Sequence, residues 1–235
     1  MAYSDEILLE LISQLQKKEF SEYHPLIVQY QYDELQDKDK QLFIDHCIEM
    51  VAKSNDEMAM LYLGCIYEHV KDINKARYWF EKAANAGNIS AMYELGYLYS
   101  AYYSSIKNIN KAIYWLEKGA AAGDSSSMYT LGCMFNGGAY SYEPDIKDID
   151  KAIDWFEKAA NAGCENDMYN LGHMYYHEPS IKDINKAIFW YEKAANAGDK
   201  GSMQNLGAIY CNEPNVKDMN KARYWIKKAT ESVDD

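Results

Sequence analysis

Tandem repetition of the sequence predicts an all-α chain of helix-turn-helix repeats, about five in number. Five tryptophans recur at spacings of 36, 40, 35 and 35 residues, and a leucine-glycine pair precedes each of them. A period of this length is typical of stacked repeats, in which each unit buries its apolar face against its neighbours. The recurring residues are Trp79, Trp115, Trp155, Trp190 and Trp225, and Gly64, Gly96, Gly132, Gly172 and Gly207.

The first helix of each repeat, called helix A, contains the leucine-glycine pair. In the second repeat Met92, Gly96 and Tyr99 lie at i, i+4 and i+7, which places them on one helix face. A glycine inside a helix costs about 1 kcal/mol relative to alanine, so its recurrence at one register requires a reason. We expect the backbone of a neighbouring helix to come too close for a Cβ atom.

The second helix, called helix B, contains the tryptophan. Ala76, Trp79 and Ala83 lie at i, i+3 and i+7, so the large ring can fill the space that the alanines leave. An Asp or Asn precedes the helix and a glycine follows it, as is typical of helix ends. The predicted N-caps are Asp72, Asn108, Asp148, Asp183 and Asp218, and the predicted terminal glycines are Gly87, Gly123, Gly163 and Gly198.

The loop between the two helices varies in length from repeat to repeat. The first lysine of the helix B block follows the helix A glycine by 7, 11, 15, 10 and 10 positions. Both helices keep their length, so the sequence predicts constant elements joined by one elastic loop.

Composition excludes several classes of protein. The 235 residues carry a formal net charge of −12, which disfavours binding to nucleic acid or to an anionic membrane surface. Apolar residues make up 48%, too many for a wholly disordered chain, yet no uncharged apolar run approaches the ~18 residues of a membrane span. The acidity is concentrated in residues 1–58, which contribute −8.

Cysteine usage and the N-terminus predict a cytoplasmic protein. The five cysteines are irregularly spaced and contain no Cys-x-x-Cys pair, unlike the even, patterned set of a secreted scaffold. The acidic N-terminal residues lack the apolar core of a signal peptide.

The recurring motif resembles the Sel1-like repeat, a relative of the tetratricopeptide repeat. It reads Ala-x-x-x-Leu-Gly-x-x-Tyr and then Asp-x-x-Lys-Ala-x-x-Trp-x-x-Lys-Ala-Ala-x-x-Gly, as the stretch from Tyr93 to Gly123 illustrates with small deviations. The resemblance implies a right-handed α/α superhelical solenoid that serves mostly as an adaptor or scaffold for protein complexes. The expected divisions are an N-terminal segment, 1–57, and repeats at 58–88, 89–124, 125–164, 165–199 and 200–235.

Both ends of the array depart from the family pattern. Residues 39–55 resemble a degenerate helix B, and further helices are expected at 4–18 and about 20–34, which together form an acidic N-terminal cap or a dedicated binding module. At the other end Val233 replaces the terminal glycine and no capping helix follows. The open edge at Trp225 and Ile226 is either frayed or a surface for homo-oligomer assembly.

No catalytic constellation is recognisable, so no catalytic residue and no cofactor is expected. The one pair with metal-ligand spacing is His173 and His177, at i and i+4 of a helix. Cys133 occupies the position of His173 one repeat earlier and is a candidate third ligand, although stacked helices lie ~10 Å apart. A metal-binding protein or metal-dependent enzyme is therefore one alternative function, and ordinary surface histidines are the other interpretation.

A binding surface for a protein or peptide is the first hypothesis. Relative to the helix A glycine, positions −2, +1 and +5 vary among repeats and form one stripe, whereas the positions that packing requires are nearly constant. Such stripes line the ligand surface of repeat solenoids, although unconstrained solvated positions vary in the same way. The third hypothesis is a self-assembling structural element. The candidate partner-binding residues are Tyr62, Glu94, Tyr97, Thr130, Asn170, His173, His177 and Asn205.

Overall fold

The computed structural model describes residues 32–102, 106–137, 146–163 and 165–231. The predicted helix at 4–18, most of the one at 20–34, and Val233 lie outside these ranges. The described part is helical and contains no strand. The chain forms two compact units, Met1–Asp124 and Ser125–Asp235.

Unit 1 contains five α-helices among its described residues. The helix A elements are α2 and α4, and the helix B elements are α3 and α5. Helix α4 continues into a π-helical segment, Leu98–Tyr102. The bounds are α1, Asp37–Ser54; α2, Glu57–His69; α3, Ile73–Asn85; α4, Ile89–Tyr97; and α5, Ile109–Ala121.

Unit 2 contains three helix pairs among its described residues. The helix A elements are α6, α8 and α10, and the helix B elements are α7, α9 and α11. The bounds are α6, Ser125–Phe135; α7, Ile149–Asn161; α8, Glu165–His177; α9, Ile184–Ala197; α10, Lys200–Asn212; and α11, Met219–Glu231.

The helix A glycine is a notch that receives a side chain of helix B. A Cβ atom on Gly172 would lie 2.7 Å from the ring of Tyr191, and one on Gly132 would lie 2.6 Å from the ring of Phe156. The expectation that a neighbouring backbone requires the glycine is therefore wrong, because the atoms in the way belong to the residue that follows the tryptophan. The residues that occupy the notches are Phe80, Leu116, Phe156, Tyr191 and Ile226.

The helix ends follow the predicted capping chemistry. The Asp183 carboxylate accepts hydrogen bonds from the amides of Asn185 (3.0 Å) and Lys186 (3.1 Å), and the Asn108 side chain accepts one from Lys111. These bonds satisfy amides that have no partner inside the helix. The terminal glycines adopt the left-handed conformation at φ +93° to +113°, as predicted for Gly87, Gly123, Gly163 and Gly198.

One hydrogen bond closes the elastic loop in every repeat. The backbone amide of the helix B cap donates to the carbonyl of the aromatic residue three positions after the helix A glycine, and the distance is 2.8 Å each time. The loop can therefore lengthen without moving either helix. The donor and acceptor pairs are Asp72 and Tyr67, Asn108 and Tyr99, Asp148 and Phe135, Asp183 and Tyr175, and Asp218 and Tyr210.

Helix α1 covers the outer face of the first repeat. Phe43 and Cys47 of α1 are fully buried in a cluster with Tyr62 and Leu63 of α2. Helix α1 occupies most of the stretch 39–55 that resembles a degenerate helix B.

The close contact between Gly172 and Tyr191 predicts that alanine at position 172 is destabilising, although alanine is a better helix former than glycine. We expect Gly172→Ala to lower the free energy of unfolding by about 1–3 kcal/mol, because the new methyl group overlaps the Tyr191 ring. In a Tyr191→Ala background we expect the same change to raise it by up to about 1 kcal/mol, because only helix propensity remains. Urea unfolding of the four chains measures both effects, and equal destabilisation in both backgrounds would contradict the notch.

Candidate functional site

Burial removes Tyr62 from the predicted partner-binding set. Its side chain is fully buried, and its ring centroid lies 6.5 Å from that of Phe43 in α1. Desolvation raises the pKa of its phenol well above the ordinary value. Tyr62 is a core residue because α1 covers the stripe of the first repeat.

Thr130 is also buried, so the expectation that it contacts a partner is corrected in the same way. Its hydroxyl donates a 2.8 Å hydrogen bond to the carbonyl of Ser126, one turn earlier in α6. This bond back to its own helix satisfies the hydroxyl without a ligand.

In unit 1 the surviving candidates are Glu94 and Tyr97, called the unit 1 patch, and both are partly exposed. The pKa of the Glu94 carboxyl rises to about 8, first because of desolvation and then because of the negative charges of Glu68 and Asp124. At neutral pH Glu94 is thus largely protonated and can donate a hydrogen bond.

In unit 2 the surviving candidates are Asn170, His173, His177 and Asn205, called the unit 2 patch. The two imidazoles are exposed on α8 and the two amides are partly exposed. The His173 and His177 ring centroids lie 4.3 Å apart. The His173 ring also stacks on Tyr169 at 6.2 Å, with the two planes inclined by 29°.

The pKa of His173 is lowered, mainly by partial desolvation and secondarily by the nearby His177. The lowered pKa keeps His173 neutral at pH 7, with one nitrogen as donor and the other as acceptor. At Asn170, His173 and Asn205 the unit 2 patch therefore presents uncharged hydrogen-bonding groups beside aromatic surface.

Tyr169 is a member of this surface that the sequence analysis missed. It lies three residues before Gly172, and Tyr93 and Tyr129 hold the same position in two other repeats. This recurrence of tyrosine at one position would have allowed Tyr169 to be predicted as part of the surface. The Tyr169 ring packs edge-on against Tyr191 at 5.9 Å, so the notch residue anchors the first ring of the column formed with His173 and His177.

The structure does not bring Cys133 to the histidine pair as a third metal ligand. The pKa of the Cys133 thiol is raised to about 11, chiefly by desolvation, and its neighbours are Tyr129 and Asp167. In the part of the chain that the structure describes, no group of three or more His, Cys, Asp or Glu side chains is arranged to hold a metal ion.

Comparison with known proteins identifies the family. The Sel1 repeat model matches residues 57–88, 89–124, 125–164, 167–199 and 201–234, so the chain belongs to the Sel1 repeat family. Sel1 repeat proteins generally mediate protein–protein interactions. The expected family and the all-α solenoid class are both confirmed.

Solved structures that resemble this chain include two that are 28% identical to it. A Sel1 repeat protein from Oxalobacter formigenes is 28% identical with a TM-score of 0.59, over 88% of each chain. A protective antigen of uropathogenic Escherichia coli strains, which has an SLR fold, is 28% identical with a TM-score of 0.62, over 92% of this chain and 47% of that one. No curated protein matches the chain. None of the described helices has both the length and the apolar character needed to pass through a bilayer.

Glu94 predicts a pH dependence of stability. Folding raises its pKa from the ordinary 4.5 to about 8, so the folded chain holds a proton that the unfolded chain has released. The free energy of unfolding therefore falls as pH rises from 4.5 to 8. We expect Glu94→Gln to raise the free energy of unfolding by about 1–3 kcal/mol at pH 9, a range that allows for the partial exposure of the side chain. At pH 4 we expect the same change to have little effect.

Urea unfolding at a series of pH values measures this difference. The matched control is Glu117→Gln, an exposed position in the same unit that is expected to change nothing. A Glu94→Gln chain whose stability keeps the pH slope of the native chain would refute the assignment.

Proposed function

We propose that this chain is a non-enzymatic adaptor that binds a protein or peptide through the unit 2 patch. The observation that supports the proposal most is the column formed by the partly exposed Tyr169 and the exposed His173 and His177, flanked by the amides of Asn170 and Asn205. Packing inside the repeat accounts for Tyr169, whereas both imidazoles are exposed on the surface of α8. A polar stripe of this kind on a rigid stack is typical of repeat proteins that hold an extended ligand.

The chemistry of the patch suits the backbone of an extended peptide. An amide side chain offers both a donor and an acceptor, as Asn170 and Asn205 do, and so matches a peptide group. The neutral His173 adds one more donor or acceptor, and the stacked rings offer a flat surface to an apolar or aromatic side chain.

The unit 1 patch is the second proposed contact. Its protonated Glu94 donates to a carbonyl at neutral pH, and Tyr97 supplies adjoining ring surface. Binding at this patch is expected to weaken above pH 8, where Glu94 ionises.

The alternative of a metal-dependent function has less support. Two imidazoles at i and i+4 provide half of the four ligands of a typical zinc site, and the described residues offer no third ligand. We also propose a reducing, cytoplasmic location, and the free thiols of Cys47, Cys65, Cys133 and Cys211 support it.

A site-specific photo-crosslinker tests the adaptor. Placed at His177 in cells, it is expected to capture a partner in a discrete band heavier than the chain. The same group at Tyr114, which is 49% exposed on a helix B, is expected to capture none. The double change Asn170→Ala and Asn205→Ala should weaken the band about tenfold or more, because each lost hydrogen bond costs about 1 kcal/mol.

The control is circular dichroism, which must show that the variants keep their helices. Absence of a band at His177, or a band that survives the double change undiminished, would overturn the proposal.

A further inference from the structure

A polar cavity of about 610 Å³ lies in unit 2, between helix α7 and the loop that joins α8 to α9. Its volume falls within the ~300–1,000 Å³ of ordinary small-molecule sites. The cavity, called here the α7 cavity, shares no residue with the unit 2 patch. Its lining includes Asp150, Ile153 and Glu157 of α7, Tyr175 of α8, Lys182 of the loop and Lys186 of α9.

The tyrosine and the glutamate that bond to each other in the next repeat are not bonded here. There the Tyr210 hydroxyl donates a 3.0 Å hydrogen bond to Glu192. Tyr175 and Glu157 hold the same two positions in the α7 cavity, yet in the described part of the chain neither side chain takes part in a hydrogen bond or an ion pair. Tyr175 is only 6% exposed. A buried polar group without a partner costs free energy, which a ligand in the cavity would recover.

Unit 1 shows which chemical group fits such a pair. The Tyr99 hydroxyl donates a 2.6 Å hydrogen bond to Glu81, and Nη1 of Arg77 lies 3.5 Å from Oε1 of the same carboxylate. The pKa of Arg77 is raised, first because its guanidinium also hydrogen-bonds to Tyr99. A guanidinium therefore contacts both members of the pair. In α7 the position of Arg77 is held by Ile153, which cannot supply this cation.

The α7 wall of the cavity favours a cation. Asp150 stands where the other four repeats have asparagine. Within the described ranges neither Asp150 nor Glu157 is paired with a basic side chain. The ammonium group of Lys182 lies 5.2 Å above the ring of Tyr176, which is not part of the cavity lining. Two carboxylates of one wall thus remain available to a positively charged ligand.

The second lysine of the cavity is compatible with a guanidinium. The ammonium group of Lys186 lies over the Tyr175 ring, 4.9 Å from its centroid. In unit 1 the ammonium group of Lys111 lies over the Tyr99 ring at 5.1 Å, and Arg77 is bound to the same tyrosine. A lysine on the ring and a guanidinium at the hydroxyl therefore occur together in this fold.

We propose that the α7 cavity binds the guanidinium group of an arginine. The guanidinium donates hydrogen bonds to the Glu157 carboxylate and the Tyr175 hydroxyl, and Asp150 adds a second negative charge. A planar group with five donors matches a carboxylate better than an ammonium group does. The arginine is either a free amino acid or a side chain of a peptide. This site stands or falls independently of the adaptor proposal, because the two use different residues.

Calorimetric titration with two probes tests the proposal. They are free arginine and N-acetyl-arginine methylamide, which presents the side chain as a peptide does. We expect binding of at least one probe to the native chain, and at least tenfold weaker binding of its citrulline counterpart, which has the same shape without the charge. Glu157→Gln should weaken binding at least tenfold and Tyr175→Phe about threefold. The matched control is Glu192→Gln, which should change nothing because that carboxylate already bonds Tyr210.

The two probes distinguish the sources of the arginine. Tighter binding of free arginine identifies an amino-acid ligand, whose carboxylate pairs with Lys182 or Lys186. Equal or tighter binding of the blocked arginine identifies a peptide ligand, because a peptide arginine has no free carboxylate at its own backbone.

Ile153→Arg tests the site without relying on the ligand. It supplies the guanidinium from α7 itself, as Arg77 does in unit 1. We expect this chain to unfold at a higher urea concentration and to lose binding of both probes, since the new side chain occupies the place of the ligand. Adding Glu157→Gln should remove the gain in stability. Ile188→Arg, at the same position of α9, is the control that should keep binding intact.

Several results would overturn the proposal. They are a native chain that binds neither probe up to about 20 mM, a citrulline counterpart that binds as tightly as arginine, and binding that persists undiminished in Glu157→Gln or in Ile153→Arg. Circular dichroism of every variant excludes unfolding as the cause of lost binding.

Discussion

The contact between the helix A glycine and the residue after the helix B tryptophan is the constraint on which each repeat depends. It fixes how closely the two helices approach, because the ring of Tyr191 or Phe156 occupies the volume that a Cβ atom would take. The same ring then supports its surroundings: Tyr129 packs on Phe156 at 6.2 Å and Tyr169 packs on Tyr191. A small residue and a large one thus act as a single unit: a larger residue in place of the glycine would overlap the ring, and a small one in place of the ring would leave a cavity.

The notch separates the positions that hold the repeat from those that vary among repeats. Helix B enters the notch from one side of helix A, and the backbone bond from the helix B cap closes the loop at 2.8 Å whatever its length. The remaining side of helix A is then free to vary, and in unit 2 it carries the imidazole and amide groups. Ile226 holds the same notch position in the last described repeat, where it is 50% exposed, whereas its four counterparts are buried. Trp225, expected at the same edge, is buried instead.

Local signals in the sequence predicted the helices, their caps and their terminal glycines, because these depend on neighbouring residues. Asp183 caps the start of α9 and Gly198 lies at its end, as the positions of both residues in the sequence indicate. Features that depend on contacts between residues far apart in the sequence were harder to predict. Tyr62 and Thr130 vary as binding residues do, but the burial of Tyr62 is decided by Phe43 and Cys47, which lie in the stretch that resembles helix B only in degenerate form. The sequence also pointed to a crowded glycine without revealing that a side chain, rather than a backbone, crowds it.

The most direct test of this account is to lengthen an elastic loop and measure stability. Four Gly and Ser residues inserted after Pro179 would leave the notch of Gly172 and Tyr191 and the bond from Asp183 to Tyr175 in place. We expect the free energy of unfolding to fall by about 0.5 kcal/mol, the loop-closure cost of the extra residues. A loss above about 2 kcal/mol would mean that the loop itself positions the helices, and would contradict the account.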